Sequence, residues 1–247
     1  MRVIQITDCH LHADPQARCR TGVAFPQLEL VVARAAQLHP DMVIVSGDIS
    51  QDHSIESYAL AEQALSTLGC PWHWLAGNHD LPNLMASIRP LPGEIAVKHW
   101  RLLLADTHWS GQARGRLGEA ELAALSAKLA EDAERPVLLF LHHPPLDVGS
   151  AWMDELGLVD RAALSEMLCG HLQVRGIVCG HIHQAFFGEL GTCHGAIPVY
   201  GTPSTSDQFL PGSNIFAVDD VSQPGFRVID LSDDSFVSWV ERVDLSA

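Results

Sequence analysis

The stretch "VRGIVCGHIHQ", residues 174–184, passes from a short apolar run through a glycine into two histidines one residue apart. A near-continuous run of Val, Ile and Cys this short reads as a strand buried on both faces. Beyond it, side chains two residues apart leave an extended or turn-like backbone on the same side. His181 and His183 therefore share a target. A metal ion is one candidate, because neutral imidazole ligates first-row ions. Two solvated rings on a polar loop are the plain alternative, and an H-x-H alone favours it. The rest of the chain has to decide.

The same order of apolar run, then polar cluster, recurs. "RVIQIT" (2–7) leads into "DCHLHAD", "DMVIVSG" (41–47) into "DISQD", "WHWLAG" (72–77) into "NHDLPN", and "PVLLFL" (136–141) into "HHPP". Apolar residues at helical spacing predict helices over 26–39, 54–69 and 118–134, with Ser54 as N-cap and Gly69 as stop of the second. After residue 185 the character changes. "AFFGEL", "TCHGA", "IPVYGT", "NIFAVD", "GFRVIDL" and "SFVSWVERV" are short strand candidates parted by Gly, Pro and Asp. The expectation is an α/β half followed by β-rich pieces that complete a second sheet, in one domain over 1–247.

Composition narrows the partners. The chain has 247 residues, 47% of them apolar and 18% charged, which describes a globular protein with a sizeable core. Thirty acidic against 15 basic residues leave a net charge of −15. That balance argues against gripping a nucleic-acid polymer through its phosphates. It also makes any anionic substrate depend on bound cations that reverse the sign locally. No charged-then-apolar leader opens the chain and no apolar run is long enough for a bilayer, so neither secretion nor membrane insertion is expected. Six cysteines without a C-x-x-C pair fit reduced, small side chains in a cytoplasmic protein. Without heptads or an isolated dimerisation segment, a monomer is expected, with a dimer as the alternative.

The polar clusters matter most. Asp8 and His10 follow the first strand, Asp48 the second, and Asn78, His79 and Asp80 the third. His142 and His143 follow the strand at 136–141, and His181 and His183 the one at 174–179. Parallel sheets gather ligand groups outside the carboxyl ends of their strands. Five segments would thus bring His, Asp or Asn to one rim, which chance does not arrange, so His181 and His183 point at metal. Imidazoles with carboxylates and one amide oxygen suit Mn, Fe or Zn, and are too rich in nitrogen for Ca or Mg alone. Asp8, His10, Asp48, Asn78, His142, His181 and His183 are too many for one ion. They suit two ions ~3.5–4 Å apart that share a bridging carboxylate, an arrangement that clamps a phosphoryl group.

The ordered series Asp8-Cys9-His10, Gly47-Asp48, Gly77-Asn78-His79-Asp80, His142-His143-Pro144 and Gly180-His181-Ile182-His183 resembles the calcineurin-like metallophosphoesterase family. The resemblance implies a four-layer αββα sandwich, two mixed sheets face to face with helices outside. It implies two divalent ions, manganese or iron ahead of zinc. One ion would take Asp8, His10 and His183, the other Asn78, His142 and His181, with Asp48 bridging. His79 would face the scissile phosphate and Asp80 would orient it. Within the family the chain is most similar to bacterial class III 3′,5′-cyclic-AMP phosphodiesterases, through "QITDCHL", "GDISQD", "CGHIHQ" and "TPSTSDQFLPGSN" (202–214). That likeness implies hydrolysis of cyclic AMP to 5′-AMP by a hydroxide held between the ions. Asn78, His79, His181, Ser204 and Thr205 are then the substrate contacts. Ser206 departs from the pattern, standing where cysteine is expected.

Several residues keep plainer readings. His143 falls to a supporting or packing role, since the family pattern is H-x-P, and His12 to a pocket wall or solvated ring. Cys9 and Cys179 should leave on the side away from the ligands and pack as core thiols. Gln208 and Phe209 either touch the nucleotide or pack within their loop, and Trp152 stands in a loop expected to overhang the site. Two other functions compete. One is a broader phosphodiesterase acting on glycerophosphodiesters or other noncyclic diesters. The other is a non-catalytic scaffold, which usually lacks ligands or the phosphate-facing histidine that this chain retains. There is no G-x-x-x-x-G-K-[ST] and no H-E-x-x-H.

Overall fold

The computed structural model describes residues 1–245. Eleven strands are described: β1 (Arg2–Ile6), β2 (Met42–Ser46), β3 (Trp72–Leu75), β4 (Glu94–Val97), β5 (Trp100–Leu104), β6 (Val137–Leu141), β7 (Val174–Cys179), β8 (Phe186–Thr192), β9 (Gly195–Gly201), β10 (Gly225–Leu231) and β11 (Phe236–Arg242). They form two mixed sheets, in the orders β11-β10-β1-β2-β3 and β4-β5-β6-β7-β9-β8. The helices are α1 (Ala24–Gln37), α2 (Ile55–Leu65), α3 (Pro82–Ile88), α4 (Gly118–Glu131), α5 (Ala151–Asp154) and α6 (Arg161–Leu168).

Strand alternation makes the layers. Along β1 and β2, Val3, Met42 and Ile44 face one way, and Ile4, Ile6, Val43 and Val45 the other. The first set meets Leu138, Phe140 and Val178 of the second sheet in a central core. The other set packs under Leu28, Val31, Tyr58 and Leu65 of α1 and α2. Leu139 and Leu141 turn outward to Leu125 and Leu129 of α4 and Leu164 and Leu168 of α6. Three hydrophobic clusters between four layers are the expected αββα sandwich. Each fully buried aliphatic or aromatic side chain contributes about 1.5–3 kcal/mol over its exposed state.

The expected helices are present with trimmed ends. Ser54 caps α2 by accepting from the Ser57 amide at 3.2 Å, and Gly69, at φ 71°, closes the turn after residues 66–68. Two expectations need correction. The strands after residue 185 do not all complete the second sheet. β8 and β9 extend it beside β7, whereas β10 and β11 return to the first sheet, β10 antiparallel to β1. "NIFAVD" is not a strand, and only an isolated bridge joins Val218 to Phe209. No helix among the described residues is long and apolar enough to cross a membrane.

Candidate active site

Strands β1, β2 and β3 run parallel, as do β5, β6, β7 and β9. The clusters after β1, β2, β3, β6 and β7 converge at their carboxyl ends. The backbone there is bent hard. Eight described non-glycine residues have positive φ, and five of them are sequence-predicted ligands: Asp8 (56°), His10 (49°), Asp48 (52°), His181 (68°) and His183 (52°). Such left-handed residues cost energy and concentrate at functional sites. Glycine makes the approach possible. A Cβ on Gly180 would lie 2.9 Å from Asp8 Oδ2 and 3.2 Å from the Ser46 carbonyl, so any side chain there would push the strand ends apart.

The ring nitrogens are oriented by acceptors behind them. His10 Nδ1 donates to Gln51 Oε1 (2.8 Å), His183 Nδ1 to the Asp207 carbonyl (2.7 Å) and His142 Nδ1 to the Ser46 carbonyl (2.8 Å). With the proton on Nδ1, each ring turns Nε2 toward the cluster, where the neutral form presents a lone pair. Yet His10 Nε2 and His183 Nε2 stand only 3.1 Å apart, with Asp8 Oδ1 3.3 Å from the latter. His142 Nε2 lies 3.2 Å from Asn78 Oδ1 and 3.4 Å from Asp48 Oδ1. Buried His181 Nε2 has no hydrogen-bond partner among the described residues. Two neutral rings facing each other through Nε2, as His10 and His183 do, repel unless a cation or a proton lies between them. Ligand atoms of Asp8, His10 and His183, and of Asp8, Asp48 and His142, lie within 4.8 Å of one another in each group. Asp48 touches both sides, with Oδ2 3.8 Å from His10 Nε2 and Oδ1 near His142. The donor set therefore fits divalent-cation binding, with the Asp48 carboxylate in reach of both His10 and His142.

Electrostatics agree with this arrangement. Burial pulls the His10 ring down to about 4 and His181 to about 3, keeping both neutral lone-pair donors at physiological pH. Burial resists ionisation of Asp8 and Asp48, but His183 beside one and His142 beside the other hold both carboxyls below their usual range. Burial also opposes charge on His142, and the nearby Asp48 and Asp8 carboxylates overcome it, pushing that ring up to about 9. The buried carboxylates thus attract a positive charge, which a metal ion supplies at greater strength than a proton.

A pocket of about 530 Å³ opens beside this cluster, lined by His10, His79 and His183 on the ligand side and by residues of two loops. His79 sits at the boundary. Its amide donates to Asp48 Oδ1 (2.8 Å), and its ring meets His10 edge-on at 5.1 Å.

Two sequence expectations are corrected here. Asp80 does not orient the His79 ring. Its buried carboxylate accepts from the amides of Ile49 (3.0 Å), Ser50 (3.1 Å) and Gly77 (2.9 Å), tying the turn after Asp48 to the turn before Asn78. Burial, followed by the charge of Asp48, raises its carboxyl to about 6. Ser204 and Thr205 do not reach the pocket, because both are fully buried behind Asp8. Ser204 Oγ donates to the Asp8 carbonyl at 2.7 Å. The 202–214 stretch reaches the pocket through Ser206, Asp207 and Phe209 instead.

The same contacts place the residues that the sequence leaves open. Gln208 is buried and bonded to the Ser204 carbonyl and to Arg242, so it braces its loop. Phe209 lines the pocket and stacks on His183 at 4.0 Å, while Trp152 packs edge-on against Phe209 at 5.2 Å. His12 is a pocket wall. His143 is buried, bonded through Nδ1 to Thr107 Oγ1 (2.8 Å), and packs against the His181 ring at 4.6 Å, with a ring nitrogen grouped beside those of His142 and His181. Cys9 and Cys179 are core thiols. Sequence reasoning missed Gln51, Arg18, Arg20 and Phe216. Only Gln51, three residues past Asp48 in "GDISQD", carried a local signal.

This chain belongs to the calcineurin-like phosphoesterase family, whose profile matches residues 1–185. Among known proteins, it is 37% identical over 239 residues to the 3′,5′-cyclic adenosine monophosphate phosphodiesterase CpdA of Vibrio vulnificus, covering 94% of this chain and 85% of that one. It is 35% identical to the protein of the same name from Pseudomonas aeruginosa, covering 98% and 90%. A dimetal phosphatase from Danio rerio shares the fold, with a TM-score of 0.74 at 14% identity over 98% of this chain and 96% of that one.

Proposed function

We propose that this chain is a two-metal phosphodiesterase that hydrolyses 3′,5′-cyclic AMP to 5′-AMP. The observation that carries the reading is the pair of imidazole Nε2 atoms 3.1 Å apart at His10 and His183, beside Asp8 and Asp48. The substrate half rests on relatives of 37% and 35% identity that are named cyclic AMP phosphodiesterases. Asp8, His10 and His183 would hold one ion and Asn78, His142 and His181 the other, with Asp48 shared. Manganese and iron suit this donor set. Such ions supply a nucleophile at neutral pH and neutralise charge on the phosphoryl oxygens.

The chain's own residues do the rest. Gln51 and the carbonyls of Ser46 and Asp207 hold protons on the Nδ1 atoms, which keeps each Nε2 free to ligate. Asp80 fixes the two turns that carry Asp48 and Asn78. His79, on the pocket side of Asp48, delivers a ring proton to the departing 3′ oxygen. Asn78, through its amide, contacts a non-bridging oxygen as charge builds there. Residues 1–247 are read as one domain, because β10 and β11, beyond the family match, pair into the sheet that carries Asp8 and Asp48.

Initial rates on cyclic AMP, glycerophosphoethanolamine and an aryl phosphodiester, with manganese-reconstituted protein, test this reading. Clear conversion of cyclic AMP to 5′-AMP supports it. Aryl or glycerol diester cleavage without cyclic AMP turnover refutes the substrate and keeps the metal chemistry. A metal content near zero in folded protein refutes both.

A further inference from the structure

A chain of ring contacts leads outward from the ligand cluster along the pocket wall. His183 stacks on Phe209 with rings 7° from parallel, Phe209 meets Phe216 at 5.4 Å, and the Arg20 guanidinium covers Phe216 at 4.8 Å. Trp152 packs edge-on against both phenylalanines at 5.2 Å, which locks them in place. The far end of the wall is uncovered, with Phe216 45% exposed and the Arg20 side chain 63% exposed. Both line the same pocket as His10, His79 and His183.

The loop carrying Arg20 is held in place. Asp207, its side chain only 8% exposed, accepts from the Arg20 amide (3.1 Å), the Thr21 amide (2.8 Å) and Thr21 Oγ1 (2.8 Å). The Asp207 backbone carbonyl takes the Nδ1 proton of His183. One residue thus fixes the far wall and a ligand ring together. The Asp207 carboxylate also stands 3.5 Å from Arg20 Nη1, which helps hold the guanidinium over the Phe216 ring. Arg20 and Phe216 thus present flat faces to the pocket, and flat faces beside a phosphoryl site suit a nucleobase.

We propose that Arg20 and Phe216, clasped by Asp207, form the subsite that stacks the nucleobase of the substrate while the ligand cluster takes its phosphate. The proposal rests on the nucleotide reading above and assigns the residues that give it effect. At 4.8 Å the pair leaves no slot for a base between guanidinium and ring. The base packs against their joint surface from the pocket side.

The test compares two ligands that differ only in the base. Binding of 5′-AMP and of ribose 5-phosphate to manganese-loaded protein is measured by calorimetry, so the result does not depend on turnover. The native chain should prefer 5′-AMP by about 5- to 150-fold, the range that one stacked base contributes. Phe216→Ala and Arg20→Ala should erase most of that preference while leaving ribose 5-phosphate binding in place, which also reports that the variants fold. Phe216→Tyr should retain it. Arg20→Lys should lose it, because lysine keeps the charge and lacks the plane. No preference in the native chain, or full preference in the alanine variants, overturns the subsite. So does Arg20→Lys behaving as native, which makes Arg20 an anion attractor. Cyclic AMP turnover is scored separately, so failure of the substrate reading and failure of the subsite give different results.

Discussion

Replacing Asp48 by asparagine removes one negative charge with almost no change of shape. Its Oδ1 can still accept the His79 amide, now 2.8 Å away. Among the described residues Asp48 is the one carboxylate recorded within 3.8 Å of both His10 Nε2 and His142 Nε2, so the change would strike both proposed cation positions at once. Metal at a hundredfold excess over its dissociation constant stabilises by about 2.7 kcal/mol per site, or about 5.4 kcal/mol for two. In a chain of 247 residues, 1 kcal/mol moves Tm by about 2–4 °C, so two ions should raise Tm by about 11–22 °C over the chelated protein. His10→Ala reaches only one position and should keep about half of that rise. Asp48→Asn should keep almost none. Thermal unfolding with EDTA and with manganese, each variant referenced to its own chelated form, gives the comparison, and metal content per chain gives the stoichiometry. If Asp48→Asn retains the same half-rise and one ion per chain as His10→Ala, Asp48 serves one ion and the shared-carboxylate argument is wrong.

His79→Ala should lower kcat by about 10²–10⁴-fold with metal content unchanged, measured on cyclic AMP or an aryl diester; full turnover removes His79 from the proton-transfer role. Gly180→Ala drives a Cβ into Thr7 Oγ1 and against Asp8 Oδ2, and should cost about 1–3 kcal/mol in urea unfolding together with weakened metal retention. Asp207→Asn carries a pH signature. Burial resists ionisation of Asp207, but the amides of Arg20 and Thr21 and the Thr21 hydroxyl hold its carboxyl below the ordinary value. A depressed folded value means stabilisation that is complete above the unfolded value near 4 and is lost as pH falls through the folded one. The variant should therefore be less stable than the native chain at pH 7, and the gap should close toward pH 3; a gap independent of pH refutes the charge argument.

What the sequence made legible followed from one physical regularity, that parallel strands release their ligands at one end. "RVIQIT", "DMVIVSG" and "VRGIVCG" each announced a buried strand, and Asp8, Asp48, His181 and His183 came with them because they stand within a few residues of the strand ends. The misreadings lie where the partner is a backbone group or a distant loop. Asp80 sits next to His79 in sequence, but its carboxylate finds the amides of Ile49 and Ser50, donors that every residue but proline has and no motif marks. Ser204 and Thr205 leave the end of β9 toward the back of Asp8, a direction fixed by the sheet order. That β10 returns to the first sheet was equally hidden, since both sheets have an edge where "GFRVIDL" could pair. Arg20 meets Asp207 across 187 positions, so the pocket wall exists only after folding.

The charge of the chain, −15, opposes any phosphodiester approaching it, and the geometry of the site answers this locally. The carboxylates at its centre, Asp8 and Asp48, are fully or nearly fully buried, where their field is least screened. Two divalent ions held as proposed would bring four positive charges against these two negative ones, making the loaded centre positive inside an acidic protein. The same burial that makes unpaired carboxylates costly makes them strong ligands, and the left-handed turns at Asp8, His10, Asp48, His181 and His183 are the strain that holds them converged. Relaxing any one turn would move a ligand away and leave Asp8 or Asp48 facing neighbours that only a cation reconciles. With the proposed ligands, fold stability and metal affinity would therefore be coupled through these five residues. Substitutions beneath them, at Gly180 or Asp80, should be felt first as weaker metal binding and only then as loss of the fold.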